Sequence, residues 1–128
     1  MYENDIGKEI ISVAIDVHRQ LGPGLLESVY EVVLSHELER QGLSNERQVR
    51  VPIEFKGTIF DEGFRADIVV MNKVIIELKS KEELSRSDRK QIQTYLRLTG
   101  LKLGYLLNFG APLMKEGIIR AVNGLEEI

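Results

Sequence analysis

The chain has no cysteine and no tryptophan, and only two histidines and three prolines among its 128 residues. Without cysteine there is no disulfide, thiol nucleophile, iron–sulfur cluster or cysteine-based zinc site. Two histidines are too few for a three-histidine zinc centre. A dominant charge is missing as well. Seventeen basic groups against twenty acidic ones leave a net charge of −3, unlike a strongly basic non-specific nucleic-acid binder. No apolar run approaches the roughly 18 residues of a membrane span. The best candidate, Leu103 to Met114, is short and carries Asn108. The opening Met1-Tyr2-Glu3-Asn4-Asp5 has neither the basic nor the apolar part of a signal peptide. These absences lead us to expect a soluble, cytoplasmic chain with no membrane partner.

What is present is enough for a core. Hydrophobic residues make up 43% of the chain, and a domain of this length buries roughly two-thirds of its unfolded surface. We expect a single domain over residues 1–128. The charge is unevenly spread. Residues 79–102 carry Lys79, Lys81, Arg86, Arg89, Lys90, Arg97 and Lys102 against Glu82, Glu83 and Asp88, while the first 47 residues are acidic. A local field of this kind can steer an anionic ligand despite the net charge.

Ile6, Ile10, Val13, Ala14, Val17 and Leu21 recur at helical spacing and predict a helix over 4–20. Gly22-Pro23-Gly24 breaks it. A second helix is expected over 26–41, with Gly42 beyond its end. The period then changes. Val49, Val51, Ile53 and Phe55 alternate with polar residues, as in a half-buried strand, and Pro52 suggests a sheet edge. Phe64 to Met71 and Val74 to Ser80 read as strands, 85–99 as a helix and Leu103 to Phe109 as a strand. Ile118 to Val122 fits a short strand or a helix end. The order is that of an α/β chain, with helices covering a mixed sheet.

The chemistry concentrates in Arg65-Ala66-Asp67 and Glu77-Leu78-Lys79. Strict alternation puts Arg65, Asp67, Val69 and Met71 on one face, and Ile75, Glu77 and Lys79 on one face of the next strand. Carboxylates among apolar strands are costly unless paired or bound to a cation. Carboxylate oxygens suit Mg²⁺, with the backbone carbonyl of Leu78 as a further ligand. Lys79 would then hold a water or neutralise a phosphate. The hairpin register is decisive. A two-residue loop, Asn72-Lys73, sends the two acids to opposite faces. A three-residue loop, Met71-Asn72-Lys73, sets Asp67 opposite Glu77. The same residues also fit a surface ion-pair ladder, but Val69, Met71 and Ile75 on that face argue for a covering helix.

Two further features accompany them. Gln91 and Tyr95 stand four apart on one helix face. Glu27 falls in the first turn of the second helix, where an acid also favours the helix dipole, and Tyr30 reads mainly as core.

Together these residues resemble the GxxExxY protein family, a branch of the PD-(D/E)XK nuclease superfamily. Gly24, Glu27 and Tyr30 match its name motif. Arg65-Ala66-Asp67, Val74 to Lys79, Tyr95 to Gly100 and Asn108-Phe109-Gly110 with Pro112-Leu113 are similar too. The resemblance runs from Ile6 to Val122. It implies a restriction-endonuclease-like core, a mixed β-sheet flanked by α-helices. It also implies Mg²⁺, or Mn²⁺ in its place, on Asp67, Glu77 and Leu78. Glu27 would be an extra acidic ligand, and Lys79 would assist the attacking water. Gln91 and Tyr95 would support the site. Asp88 departs from the family pattern, in which many relatives carry His at that position.

The expected function is therefore hydrolysis of phosphodiester bonds in DNA, with RNA open as a substrate. Arg86, Arg89, Lys90 and Arg97 would contact phosphates beside the metal site. The competing expectation is a binding or accessory protein with a silent site, favoured by the acidic N-terminal half. The oligomeric state is open, a homodimer included.

Overall fold

The computed structural model describes residues 1–126. Helix α1 (Glu3–Leu21) buries the stripe Ile6, Ile10, Val13, Ala14 and Val17, the spacing of an amphipathic helix. Helix α2 (Glu27–Arg40) buries Tyr30, Leu34 and Leu38. Strands β1 (Asn45–Phe55), β2 (Thr58–Val70) and β3 (Val74–Lys79) follow, then α3 (Arg86–Thr99), β4 (Leu103–Asn108), a short 3-10 turn at Met114–Glu116 and β5 (Ile118–Val122). The ambiguous last segment is thus a strand, antiparallel to β4. Among the described residues no helix is long and apolar enough to cross a membrane.

The five strands lie in chain order, and only the β3–β4 pair is parallel. β1 is an edge strand, as Pro52 indicated. One face packs under α1 and α2 through Ile68, Val70, Val74, Ile76, Leu78, Leu103, Tyr105 and Leu107. The other packs under α3 through Ile75, Leu106, Ile92 and Leu96. Gly104 lets α3 come close, since a Cβ there would lie 3.0 Å from Ile92 Cδ1.

The sheet does not keep strict alternation. Ile68 and Val70 pack on the α1/α2 side, yet Phe64 and Ala66 join Val69 on the α3 side. Strand β1 makes the same change. Arg47 reaches Glu31 on α2, whereas Val49 joins the α3 cluster. Both changes occur between the pairs Arg47–Ile68 and Val49–Ala66, where Gln48 faces Asp67. Gln48 has φ 51°, uncommon for a residue other than glycine. This corrects the expected faces. Arg65 sits between two residues of the α3 side and is exposed. Met71, with φ 51°, packs against the α1/α2 cluster instead of beside Val69.

The loop between α1 and α2 is pinned from inside. Gly22 and Gly24 have φ of 71° and 105°. The buried Tyr30 hydroxyl donates to the Gly22 carbonyl and accepts from Leu25 N–H at 3.1 Å. Its ring stacks on Phe109 at 4.4 Å. Ser80 Oγ donates to the Leu25 carbonyl at 2.8 Å, which fastens the start of α2 to the segment after β3. Tyr30→Phe keeps the stack and loses the clamp. We expect a loss of roughly 1–2 kcal/mol in urea unfolding with an unchanged m-value.

Candidate active site

The β2–β3 turn decides the register. Val70 pairs with Val74, Val69 with Ile75 and Ile68 with Ile76. The turn is the three-residue Met71-Asn72-Lys73, with φ 51° at Met71 and 56° at Asn72, closed by Lys73 N–H to the Val70 carbonyl at 3.0 Å. This is the odd-length loop that brings Asp67 to Glu77.

Beyond Ile68–Ile76 the ladder stops and side chains take over. Asp67 N–H donates to Glu77 Oε1 at 3.1 Å, and Leu78 N–H donates to Asp67 Oδ2 at 2.8 Å. Each carboxyl group satisfies an amide of the opposite strand, which would otherwise lack a partner. On its other edge β3 stays paired with β4 as far as Lys79–Asn108. The acids therefore meet in a fork between β2 and β3.

Glu77 is only 4% exposed. Burial, then the neighbouring Asp67 charge, push its pKa from the ordinary 4.5 up to about 9. Without a cation, Glu77 holds a proton at neutral pH. On the α3 side stands Tyr95, whose ring stacks on Phe64 at 3.6 Å and whose hydroxyl accepts from Gln91 Nε2 at 2.8 Å. Burial and the Glu77 charge raise the Tyr95 pKa, so this ring lies within reach of the acids' field.

On the α2 side is a residue that sequence reasoning missed. Glu31 is buried and accepts from Arg47 Nε at 2.9 Å and from Gln48 Nε2 at 2.7 Å. Gln48 Nε2 also approaches Asp67 Oδ1 at 3.4 Å. The signal was an acid beside the apolar stripe Tyr30, Leu34, Leu38, one turn after Glu27. Glu27 itself is exposed. Among the described residues no three acidic or histidine side chains are gathered as a metal site, so Glu27 is not drawn to Asp67 and Glu77. Tyr30 acts as the loop clamp.

Lys79 Nζ lies 3.9 Å from Asp88 Oδ1. Asp88 accepts from Lys81 Nζ at 3.0 Å and from Ser85 N–H at 2.8 Å, while its own N–H donates to Ser85 Oγ at 3.1 Å. This is a capping box at the start of α3. Burial alone would raise the Asp88 pKa, but hydrogen bonds from Ser85 and Lys81 outweigh it and lower the value to about 2. Asp88, where the resemblance led us to expect His, is here part of a helix cap between two lysines. Asn108 completes this corner. It accepts from Lys81 N–H and donates to the Lys81 carbonyl, each at 3.0 Å.

Arg86, Arg89, Lys90 and Arg97 are all exposed. At about 100° per residue they fall on one side of α3. Gln91 and Tyr95 fall on the opposite side, so the basic stripe is turned away from the acids.

The Glu77 proton has a consequence for stability. An unfolded chain ionises this group near 4.5, whereas the folded one holds the proton to about 9. Between those values the folded state binds more protons, so its stability falls as pH rises. In metal-free buffer Glu77→Gln should match wild type at pH 4. It should exceed wild type by about 2–4 kcal/mol at pH 8, read by urea unfolding at both pH values. An equal difference at both would contradict the assignment.

A family model described as the PD-(D/E)XK nuclease superfamily matches residues 4–121, a span that includes Asp67, Glu77 and Lys79. Curated protein sequences give no significant match. Among solved structures, "Crystal structure of SSO0001" aligns at 22% identity with a TM-score of 0.55, covering 78% of this chain and 52% of that one. This chain thus spans about half the length of that protein, and the likeness concerns the fold. A mixed sheet with helices on both faces is the restriction-endonuclease-like arrangement. With its family model matched over nearly its whole length, the chain belongs to the PD-(D/E)XK nuclease superfamily.

Proposed function

We propose that the chain is a divalent-metal-dependent nuclease of the GxxExxY branch that hydrolyses phosphodiester bonds in DNA. The observation that carries this reading is the Asp67–Glu77 pair, exchanged across the β2–β3 fork, with Lys79 two residues further along β3. Two carboxyls this close favour a proton or a cation between them. The donor set is oxygen only, which suits Mg²⁺ with Mn²⁺ as a substitute. Asp67, Glu77 and the Leu78 carbonyl would hold the ion, and Glu27, apart from them in this structure, would join as the extra acid once the ion is bound. Bound there, it would acidify a water and neutralise charge on the phosphate.

The protein's own groups have separate tasks. Hydrolysis joins a water oxygen to phosphorus and breaks the bond to the departing sugar oxygen, which takes up a proton. Lys79 donates a positive hydrogen bond to the water or the phosphate. Its ammonium is mostly buried and faces Asp88, which limits the positions it can take. Gln91 and Tyr95 brace the wall beside Glu77. In the GxxExxY motif, Gly24 and Tyr30 shape the loop, which leaves Glu27 as the member with chemistry to offer. Arg86, Arg89, Lys90 and Arg97 would meet backbone flanking the site, since α3 turns them outward. RNA is the alternative substrate.

The second reading is an accessory or nucleic-acid-binding protein with a silent site. The exposed Glu27, standing apart from the other two acids, favours it.

Labelled DNA and RNA, single- and double-stranded, incubated with Mg²⁺ or Mn²⁺ separate the two readings. We expect cleavage of DNA that is absent with Glu77→Ala. No cleavage of any substrate under these conditions would favour the silent site. Lys79→Ala should lose at least about 100-fold in rate, and Lys79→Arg should recover little, because the guanidinium is larger and differs in geometry. In thermal unfolding, Mg²⁺ at ten times its Kd should stabilise wild type by about 1.4 kcal/mol. Lys79→Ala should keep that gain and Asp67→Ala should lose it.

A further inference from the structure

β1 and β2 continue past the rest of the sheet. β3 joins β2 only from Ile68 onward, so over residues 50–65 the two strands pair only with each other. Their turn is Lys56-Gly57, with φ of 51° and 81°. In this arm Arg50 and Arg65 are direct cross-strand partners, and both are exposed. Like charges directly opposite each other in an antiparallel pair repel. Among the described residues no carboxylate forms an ion pair with either one. Their neighbours two positions along are Gln48, Pro52, Gly63 and Asp67. The only acid among these, Asp67, already accepts from Leu78 N–H and Gln48 Nε2.

The pair lies two residues along the strands from Gln48 and Asp67, on the sheet face away from α3. Arg65 is two residues from Asp67, roughly 7 Å along β2. The stripe on α3 points the other way. A guanidinium fork matches the oxygens of a phosphate, and an anion between two arginines removes their repulsion. We infer that Arg50 and Arg65 form a phosphate-binding pair that seats a nucleic-acid backbone phosphate on the arm beside Asp67. The inference rests on the nuclease reading for its ligand. A free phosphate or pyrophosphate offers the same chemistry, so the experiment must separate the two sources.

The test uses the whole chain, with Ca²⁺ in place of Mg²⁺, and fluorescence anisotropy of a labelled DNA oligonucleotide over a salt series. Arg50→Ala with Arg65→Ala should weaken binding at least about tenfold at low salt. It should lower the log–log salt slope by roughly two units, one for each arginine that no longer neutralises phosphate charge. The loss should be the same for all base sequences. Arg50→Glu separates binding from folding. It replaces repulsion by an Arg–Glu attraction, so its Tm should equal wild type or exceed it by about 1–4 °C, while DNA binding is lost. Wild-type affinity and slope in the double variant would overturn the pair, and so would unimpaired DNA binding by a folded Arg50→Glu. If wild type neither binds nor cleaves any nucleic acid, the nuclease reading falls. Thermal shift with inorganic pyrophosphate then decides the pair alone. Stabilisation of wild type that vanishes in the double variant upholds a site for free phosphate groups, and no stabilisation of wild type overturns it.

Discussion

The amides of Asp67 and Leu78 lie just past the point where β2 and β3 cease to pair, and neither has a carbonyl to bond. Each is satisfied by the other strand's acid. That exchange ties backbone pairing to side-chain chemistry. Removing either carboxyl would leave an amide without its partner, a cost comparable to losing a buried hydrogen bond. The same exchange forces two acids together where solvent is scarce, and Glu77 answers by holding its proton. The fold thus stores a proton on Glu77 at the fork between β2 and β3.

The surroundings hold that fork in place from three sides. α2 is fixed at its start by Ser80 and the Tyr30 clamp, and Glu31 on its inner side reaches Asp67 through Gln48. α3 closes the other wall, and Gly104 permits its close approach. Asp88 and Asn108 secure the chain between β3 and α3, the stretch that carries Lys79 and Lys81. None of these groups needs to touch a substrate for its loss to disturb the acids.

Much of this was legible in the sequence because the rules that govern it are local. Helical spacing gave α1 and α3 within a residue or two, and apolar runs gave β3 and β4. The three-residue turn followed from requiring both acids in one place. Other features escaped for physical reasons. The alternation rule presumes a strand without left-handed residues, so it could not anticipate the switch at Gln48, and it misassigned Arg65 and Met71. The start of β2 at Thr58 was missed because Ile59 and Phe60 are exposed, leaving no buried face to give a period. Summed charge marked residues 79–102 as basic but did not say which way the stripe faces. Glu31 was not singled out because its partners come from a strand 16 and 17 residues away.

The switch at Gln48 and Asp67 also separates two jobs along a single hairpin. On one side the strands belong to the core, and their register is set by the Met71 turn. On the other they hydrogen-bond only to each other, and Val49 and Phe64 are the last residues to pack on α3 before the hairpin runs free. Residues added or removed in matched pairs near Lys56-Gly57 would change how far the hairpin extends without moving Asp67 relative to Glu77. Reach and chemistry are independently adjustable here, so related chains could differ in the size of what they grip while keeping the same fork.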